Sequence, residues 1–123
     1  MIIGIGIDIL DHSQLQSLDL NSDPFFTYTF SDAERQEASK NDNPLRYFAG
    51  RFCVKEAAIK AFNGFAERAD MRDIETLTGK DGMPEIHMKG NLANTLPEAI
   101  RIHVSISHES HTSIALVIGE IPD

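Results

Sequence analysis

The chain has 123 residues, enough for one domain that buries somewhat over roughly 60% of its unfolded surface and too few for two independent ones. Its longest apolar runs, Met1 to Ile3 and Ile114 to Ile118, fall far short of a membrane span, and no basic segment leads into an apolar one as in an export signal, so the expectation is a cytoplasmic protein with no membrane. A net charge of −8 argues against nonspecific nucleic-acid binding, which Lys and Arg drive by contacting phosphates, and a single cysteine excludes an internal disulfide.

The charge is unevenly spread. Residues 31–60 carry six Lys or Arg against five acids, a balance of +1, while the remainder carries −9. A local basic patch in an acidic chain suits a compact anionic ligand better than a polyanion.

Met1 to Leu10 alternates, with Ile3, Ile5, Ile7 and Ile9 on one side and Ile2, Gly4, Gly6, Asp8 and Leu10 on the other, which reads as a strand. Glycines weaken a strand, so Gly4 and Gly6 imply a close approach by another backbone or a ligand. Asp8 at the edge of that gap is either a strand-end carboxylate reaching water or a metal-binding one. Asp11 to Leu20 reads as a short amphipathic helix, and Asp23-Pro24 as a break. Phe25, Phe26, Tyr28 and Phe30 read as a core cluster, and Ser31-Asp32-Ala33-Glu34 as a capping box opening a helix through about Lys40.

Asn43 to Gly64 reads as a long central helix: Asn43 can cap the first turn, Pro44 suits the first helical position, and Asn63-Gly64 offers a left-handed exit. Phe48, Phe52, Ile59 and Phe62 form one apolar stripe, and Ala49, Cys53, Ala57 and Ala61 a second face of small residues. Arg51 and Lys55 flank the stripe on one side, Glu56 and Lys60 on the other. On the helix alone, an i,i+4 ion pair between Glu56 and Lys60 is the favoured reading, ahead of contact with a charged ligand. Cys53 reads as a packed thiol rather than a nucleophile.

Phe65 to Arg72 reads as an irregular connection, Ile74 to Leu77 and Pro84 to Met88 as a hairpin, and Gly90 to Pro97 as a helical turn and loop. Ile100 to Ser107 and the run Ile114 to Ile118, taken as continuously buried, read as paired strands. His103, His108, His111 and Glu109 read as incidental to a turn, because His103 and His108 face opposite sides of an extended strand. The whole is expected to be one α+β domain over residues 1–123, a mainly antiparallel sheet packed against the long central helix.

Asp8 and Glu56 could hold one magnesium ion, which binds through one or two carboxylates together with substrate phosphates, while Lys60 and Arg51 hold phosphate oxygens. That is minimal equipment for displacement at a phosphoryl centre. Gly6-Ile7-Asp8, the run Phe52-Cys53-Val54-Lys55-Glu56-Ala57-Ala58-Ile59-Lys60 and His103-Val104-Ser105-Ile106-Ser107-His108, in that order and spacing, resemble the holo-acyl-carrier-protein synthases. These are short 4'-phosphopantetheinyl transferases, and the likeness runs essentially end to end.

The resemblance implies a 4'-phosphopantetheinyl transferase-like fold and transfer of the phosphopantetheine arm of coenzyme A to a serine of an apo acyl carrier protein. Adenosine 3',5'-bisphosphate is the other product, and fatty acid biosynthesis the process served. It implies magnesium on Asp8 and Glu56, catalysis by Glu56, Lys60 and Asp8, and coenzyme contacts from Arg51, Lys55, Lys60, Gly64, Ser107 and His108. Glu56 or a metal-bound water would deprotonate the serine. It also implies a homotrimer with a site at each subunit junction. The chain departs from the family where Asn63-Gly64-Phe65-Ala66 replaces a usual Gly-Thr-Gly-Ile and where Thr112 replaces a Tyr. It departs again where residues 11–30, the usual basic carrier-docking region, hold no Lys or Arg. Either apolar contacts or Arg35, Lys40 and Arg46 would then meet the carrier, or the carrier is an unusual one. Two other readings fit parts of the chain: a non-catalytic coenzyme-binding or trimeric scaffold protein, and an RNase H-like nuclease or a fragment of an actin-like kinase, with a parallel sheet.

Overall fold

The computed structural model describes residues 1–65 and 69–123. In chain order it contains β1 (Ile2–Asp11), α1 (Ser13–Gln16), α2 (Pro24–Thr29), α3 (Asp32–Ser39), α4 (Pro44–Ala61), β2 (Ile74–Thr78), β3 (Pro84–Met88), α5 (Gly90–Thr95), β4 (Arg101–His108) and β5 (Thr112–Glu120). The fold is α+β with two antiparallel sheets: one of three strands in the order β1-β5-β4, and the β2-β3 hairpin. First and last strands pair antiparallel along their length, which removes the parallel sheet that the nuclease reading required.

The contact between β1 and α4 explains the odd composition of the strand. A Cβ on Gly4 would collide with the carbonyl of Ala61, and one on Gly6 with the carbonyl of Ala57, so backbone meets backbone here, as the glycines implied. Two strand residues advance about 6.6 Å and four helical residues about 6 Å. The steps therefore match: Gly4 lies on Ala61, Gly6 on Ala57, and the same stride carries Asp8 to Cys53. Ala49, Cys53 and Ala57 are fully buried in this seam, and Ala61 is nearly so.

Local signals set most element starts. Asn43 accepts from the Arg46 amide with Pro44 in the first helical turn. Ser31 and Glu34 close the expected capping box reciprocally, Glu34 N–H donating to Ser31 Oγ and Ser31 N–H to Glu34 Oε1. Several expectations need correction. Asp23-Pro24 does not merely break the chain: Asp23 accepts from the Phe25 amide and Pro24 opens α2. Phe26 and Phe30 are core, their rings tilted against Phe48, but Tyr28 points to solvent. The helix expected over Asp11 to Leu20 shortens to Ser13–Gln16.

No left-handed exit forms at Asn63-Gly64. Among the described residues, only Gly82 and Gly90 have positive φ. Instead, Phe62 N–H donates to Ala58 O and Phe65 N–H to Phe62 O, so the helix unwinds through an ordinary turn. Of the expected irregular connection, residues 66–68 lie outside the described residues, and Met71–Asp73 forms a short 3-10 turn.

The run Ile114 to Ile118 is not continuously buried. Ser113, Ala115, Val117 and Gly119 face α4, while Ile114, Leu116 and Ile118 face outward in register with Ile9, Ile7 and Ile5. Those three isoleucines of β1 are 65%, 54% and 59% exposed, leaving an apolar outer face on the β1–β5 part of the sheet. Among the described residues, no helix is long and apolar enough to cross a membrane.

Candidate active site

Asp8 lies on the inner face of β1, level with Ala115 of β5 and pointing toward α4. Lys60, in the last turn of α4, reaches back across the seam. Its Nζ donates to Asp8 Oδ1 at 3.2 Å and to the carbonyl of Ile7 at 2.9 Å. The i,i+4 pair favoured from the helix alone is thus replaced by a pair between helix and strand: among the described residues, Lys60 makes its ion pair with Asp8.

Glu56 completes the group, half-buried on the same flank of α4. Burial first, then the charge of Asp8, pushes its carboxyl above the usual glutamate range, and the Lys60 ammonium pulls it part of the way back. Two carboxylates against one ammonium leave an excess of negative charge in a partly desolvated corner. Cys53 sits beneath them; burial, the charge of Asp8 and a hydrogen bond to it push the thiol up to about 12, so it stays protonated. It is a packed donor, aimed also at the carbonyl of Ser113 at 3.5 Å, and not a nucleophile.

The second half of the site lies about 9 Å further along α4, at six residues and 1.5 Å each. Gly50 gives His108 room, since a Cβ there would press on the imidazole and on Ile106. The ring is held by Nδ1, 2.7 Å from Ser113 Oγ. Burial first, then the charges of Arg46, His12 and Arg51, keep His108 below the ordinary histidine range. It is therefore not incidental to its turn, whereas His103 does face the opposite side, paired with Glu120 at 2.8 Å.

Other expected contacts separate from this group. Lys55 does not reach the site: its ammonium is fully buried and donates to Glu34 Oε1 at 2.9 Å, Met71 O at 2.8 Å and Ile74 O at 2.6 Å. All three of its protons are used, so none is left for a coenzyme. Arg51 is also packed away, donating to Thr78 Oγ1 at 3.0 Å and lying over the Tyr47 ring at 4.2 Å. Ser107 follows the strand alternation onto the outer face, level with Ile114 and opposite to His108. Gly64 is exposed just beyond α4, with open space around its Cα.

His12 and Ser113, which join His108, stood out by no motif in the sequence, and Glu34, expected only as part of a cap, also holds Lys55. A signal for the first two was present: His12 and Ser113 continue the inner-face alternation of β1 and β5 as polar residues among apolar ones.

A family model described as the 4'-phosphopantetheinyl transferase superfamily matches residues 4–117 of the chain. A holo-[acyl-carrier-protein] synthase of Mycolicibacterium paratuberculosis is 36% identical over 129 aligned positions, covering 98% of each chain. The acyl carrier protein synthase of Mycobacterium tuberculosis superposes with a TM-score of 0.78 at 34% identity, covering 99% of this chain and all of its own (100%). A holo-(acyl-carrier-protein) synthase of Bacillus anthracis, solved in complex with CoA (3',5'-ADP), superposes with a TM-score of 0.81 at 30% identity over 99% of both chains.

Fold and sequence together define a phosphopantetheinyl transferase. Within that superfamily, the chain belongs to the holo-[acyl-carrier-protein] synthases.

Proposed function

We propose that the chain moves the 4'-phosphopantetheine arm of coenzyme A onto a serine hydroxyl of an apo acyl carrier protein, releasing adenosine 3',5'-bisphosphate, in a reaction that requires magnesium. One observation carries this reading. Asp8, Glu56 and Lys60, from elements about 50 residues apart, converge at one end of the β1–α4 seam. The Bacillus anthracis relative supports coenzyme A as the donor.

The donor set fits a hard divalent cation. It offers two carboxylates with excess negative charge, and among the described residues there is no group of three or more His, Cys, Asp and Glu, as a metal bound wholly by the protein would need. Asp8 and Glu56 would hold the ion, which when bound offsets the charge of the coenzyme pyrophosphate. Lys60 is exposed and able to swing from Asp8 to a phosphate oxygen. In the transfer, the serine oxygen bonds to the β-phosphorus of the pyrophosphate as the bond to the bridging oxygen breaks. Glu56 would accept the serine proton.

The two halves of the site, Asp8–Glu56–Lys60 and His108 with its partners, lie apart on one subunit, and the outer face of the sheet is apolar. Both support a homotrimer in which each junction brings one subunit's carboxylates toward a neighbour. We place the reaction in the cytoplasm, in the activation of carriers for fatty acid biosynthesis, by a single domain over residues 1–123. Carrier contact falls to Lys40 and Arg46, which are exposed, more than to Arg35, which is paired with Asp32.

The test is to incubate the protein with coenzyme A, magnesium and several apo carriers and to weigh the carriers. A gain equal to one phosphopantetheine group is expected. Asp8→Asn and Glu56→Gln should each slow it about a hundredfold or more, with the circular dichroism spectrum unchanged. A folded protein that modifies no carrier overturns the proposal and leaves the coenzyme-binding scaffold.

A further inference from the structure

His12 and His108 are 96 residues apart in the chain, yet both hydrogen-bond one hydroxyl. His12 Nε2 lies 2.7 Å from Ser113 Oγ and His108 Nδ1 lies 2.7 Å from the same oxygen. Ser113 is fully buried and His12 is 7% exposed. The backbone fixes His12 as well, its N–H donating to His111 O at 2.8 Å.

From this geometry we infer that His12 and Ser113 are positioning residues for His108, holding its ring by Nδ1 so that Nε2 is presented as an N–H donor to a phosphate oxygen of the coenzyme. The inference rests on the transferase reading for its ligand, but the coupling of the three side chains does not depend on it.

A serine hydroxyl has one proton to give, and that decides how the three groups behave. When His12 donates to Ser113, the hydroxyl donates to a bare Nδ1 of His108, whose own proton must then sit on Nε2. If the trio carries one positive charge, the charge rests on either ring. With His12 charged, His108 is neutral and keeps its proton on Nε2; with His108 charged, both of its nitrogens carry protons and the hydroxyl turns to donate to His12. In either arrangement Nε2–H faces outward. In the neutral trio the chain must run from His12 to His108; the reverse, with His108 Nδ1–H donating to the hydroxyl and the hydroxyl to His12 Nε2, would leave Nε2 bare, and a bare Nε2 at neutral pH would overturn the inference.

Arg46 and Arg51 on α4 and His12 oppose charge on His108, while Asp11 and His111 flank His12. The Cys53 thiol, protonated at neutral pH, meets the trio only at the Ser113 carbonyl.

The test uses the whole protein without coenzyme, its histidines labelled with 15N. In the unaltered chain, the His108 signals should show a bare Nδ1 and a protonated Nε2 across neutral pH, and its titration should respond to that of His12. Ser113→Ala should average the two nitrogens and separate the two titrations. His12→Gln, which does not touch His108, should raise the pH at which His108 titrates. In the transfer assay, Ser113→Ala should raise KM for coenzyme A about five- to tenfold, as expected for a hydrogen bond worth about 1 kcal/mol, with kcat within about twofold. Ser113→Thr, which keeps the hydroxyl, should restore both readouts.

Unchanged His108 nitrogen shifts and titration in both Ser113→Ala and His12→Gln would overturn the inference. If Ser113→Ala fails to fold, His12→Gln decides alone by the same titration. Coupled histidines in a protein that modifies no carrier would uphold the coupling and overturn the transferase reading instead.

Discussion

Lys55 and Lys60 belong to the same helix and the same motif, and the structure gives them opposite employment. Lys55 is sealed against Glu34, whose second oxygen accepts from the Thr76 amide at 3.0 Å, so one ion pair ties α3, α4 and β2 together. Burial pulls Lys55 below the ordinary lysine range while Glu34 holds it up. Removing the ammonium strands a buried carboxylate, so Lys55→Met should cost about 3–5 kcal/mol in urea unfolding. Lys60→Met should leave that midpoint nearly unmoved and slow transfer. Helical spacing placed both lysines beside the apolar stripe but could not tell them apart. What separates them is a capping-box glutamate and two carbonyls, at Met71 and Ile74, that periodicity does not report. Glu56 offers a third residue-level test. Its folded pKa is raised above 4.5, so the fold keeps its proton longer than the unfolded chain does. The resulting stability is full below about pH 4.5 and is lost as pH rises through the raised value. Glu56→Gln should therefore be at least as stable as the unaltered protein at pH 7, with the advantage vanishing near pH 4 in thermal melts. Magnesium should raise the melting temperature of the unaltered protein only.

At the scale of elements, the sequence was most informative where a residue type had a single purpose. The capping box, the Asn43-Pro44 start and the glycines of β1 each came out as expected, because a cap or a missing side chain acts locally. It was least informative at α2, where Asp-Pro both ends one stretch and begins another, and at the end of α4, where no left-handed glycine was needed. The seam itself can be tested. Gly6→Ala puts a methyl group into the carbonyl of Ala57, on backbone that cannot swing aside, and should destabilise the protein by at least about 2 kcal/mol in urea unfolding. Gly64→Ala meets no atom within 4 Å and lacks a positive φ, so it should change stability by less than about 0.5 kcal/mol.

For the whole molecule, the outer face of the β1–β5 pair is the strongest cue to assembly. Ile5, Ile7 and Ile9 stand in register with Ile118, Leu116 and Ile114, a contiguous apolar surface of a kind that monomers rarely expose. Ile7→Glu at its centre should convert a trimer to monomers in analytical ultracentrifugation and abolish transfer, while far-ultraviolet circular dichroism stays the same. A monomeric unaltered protein in that measurement would contradict the assembly. The alternation of isoleucines was plain in the sequence, but which side met the helix was decided by the glycines and which side stayed open by the absence of any further layer.

The matched strides of β1 and α4 also limit how such a chain can change. Slipping the strand by one position would turn every glycine outward and drive an isoleucine into the helix, so no intermediate register exists and the two elements are indexed like teeth on a rack. The carboxylate of Asp8 is the next tooth after the glycines. Its distance from Glu56 and Lys60 is thus inherited from packing rather than set by a flexible loop, and connecting segments elsewhere can lengthen or shorten without disturbing it.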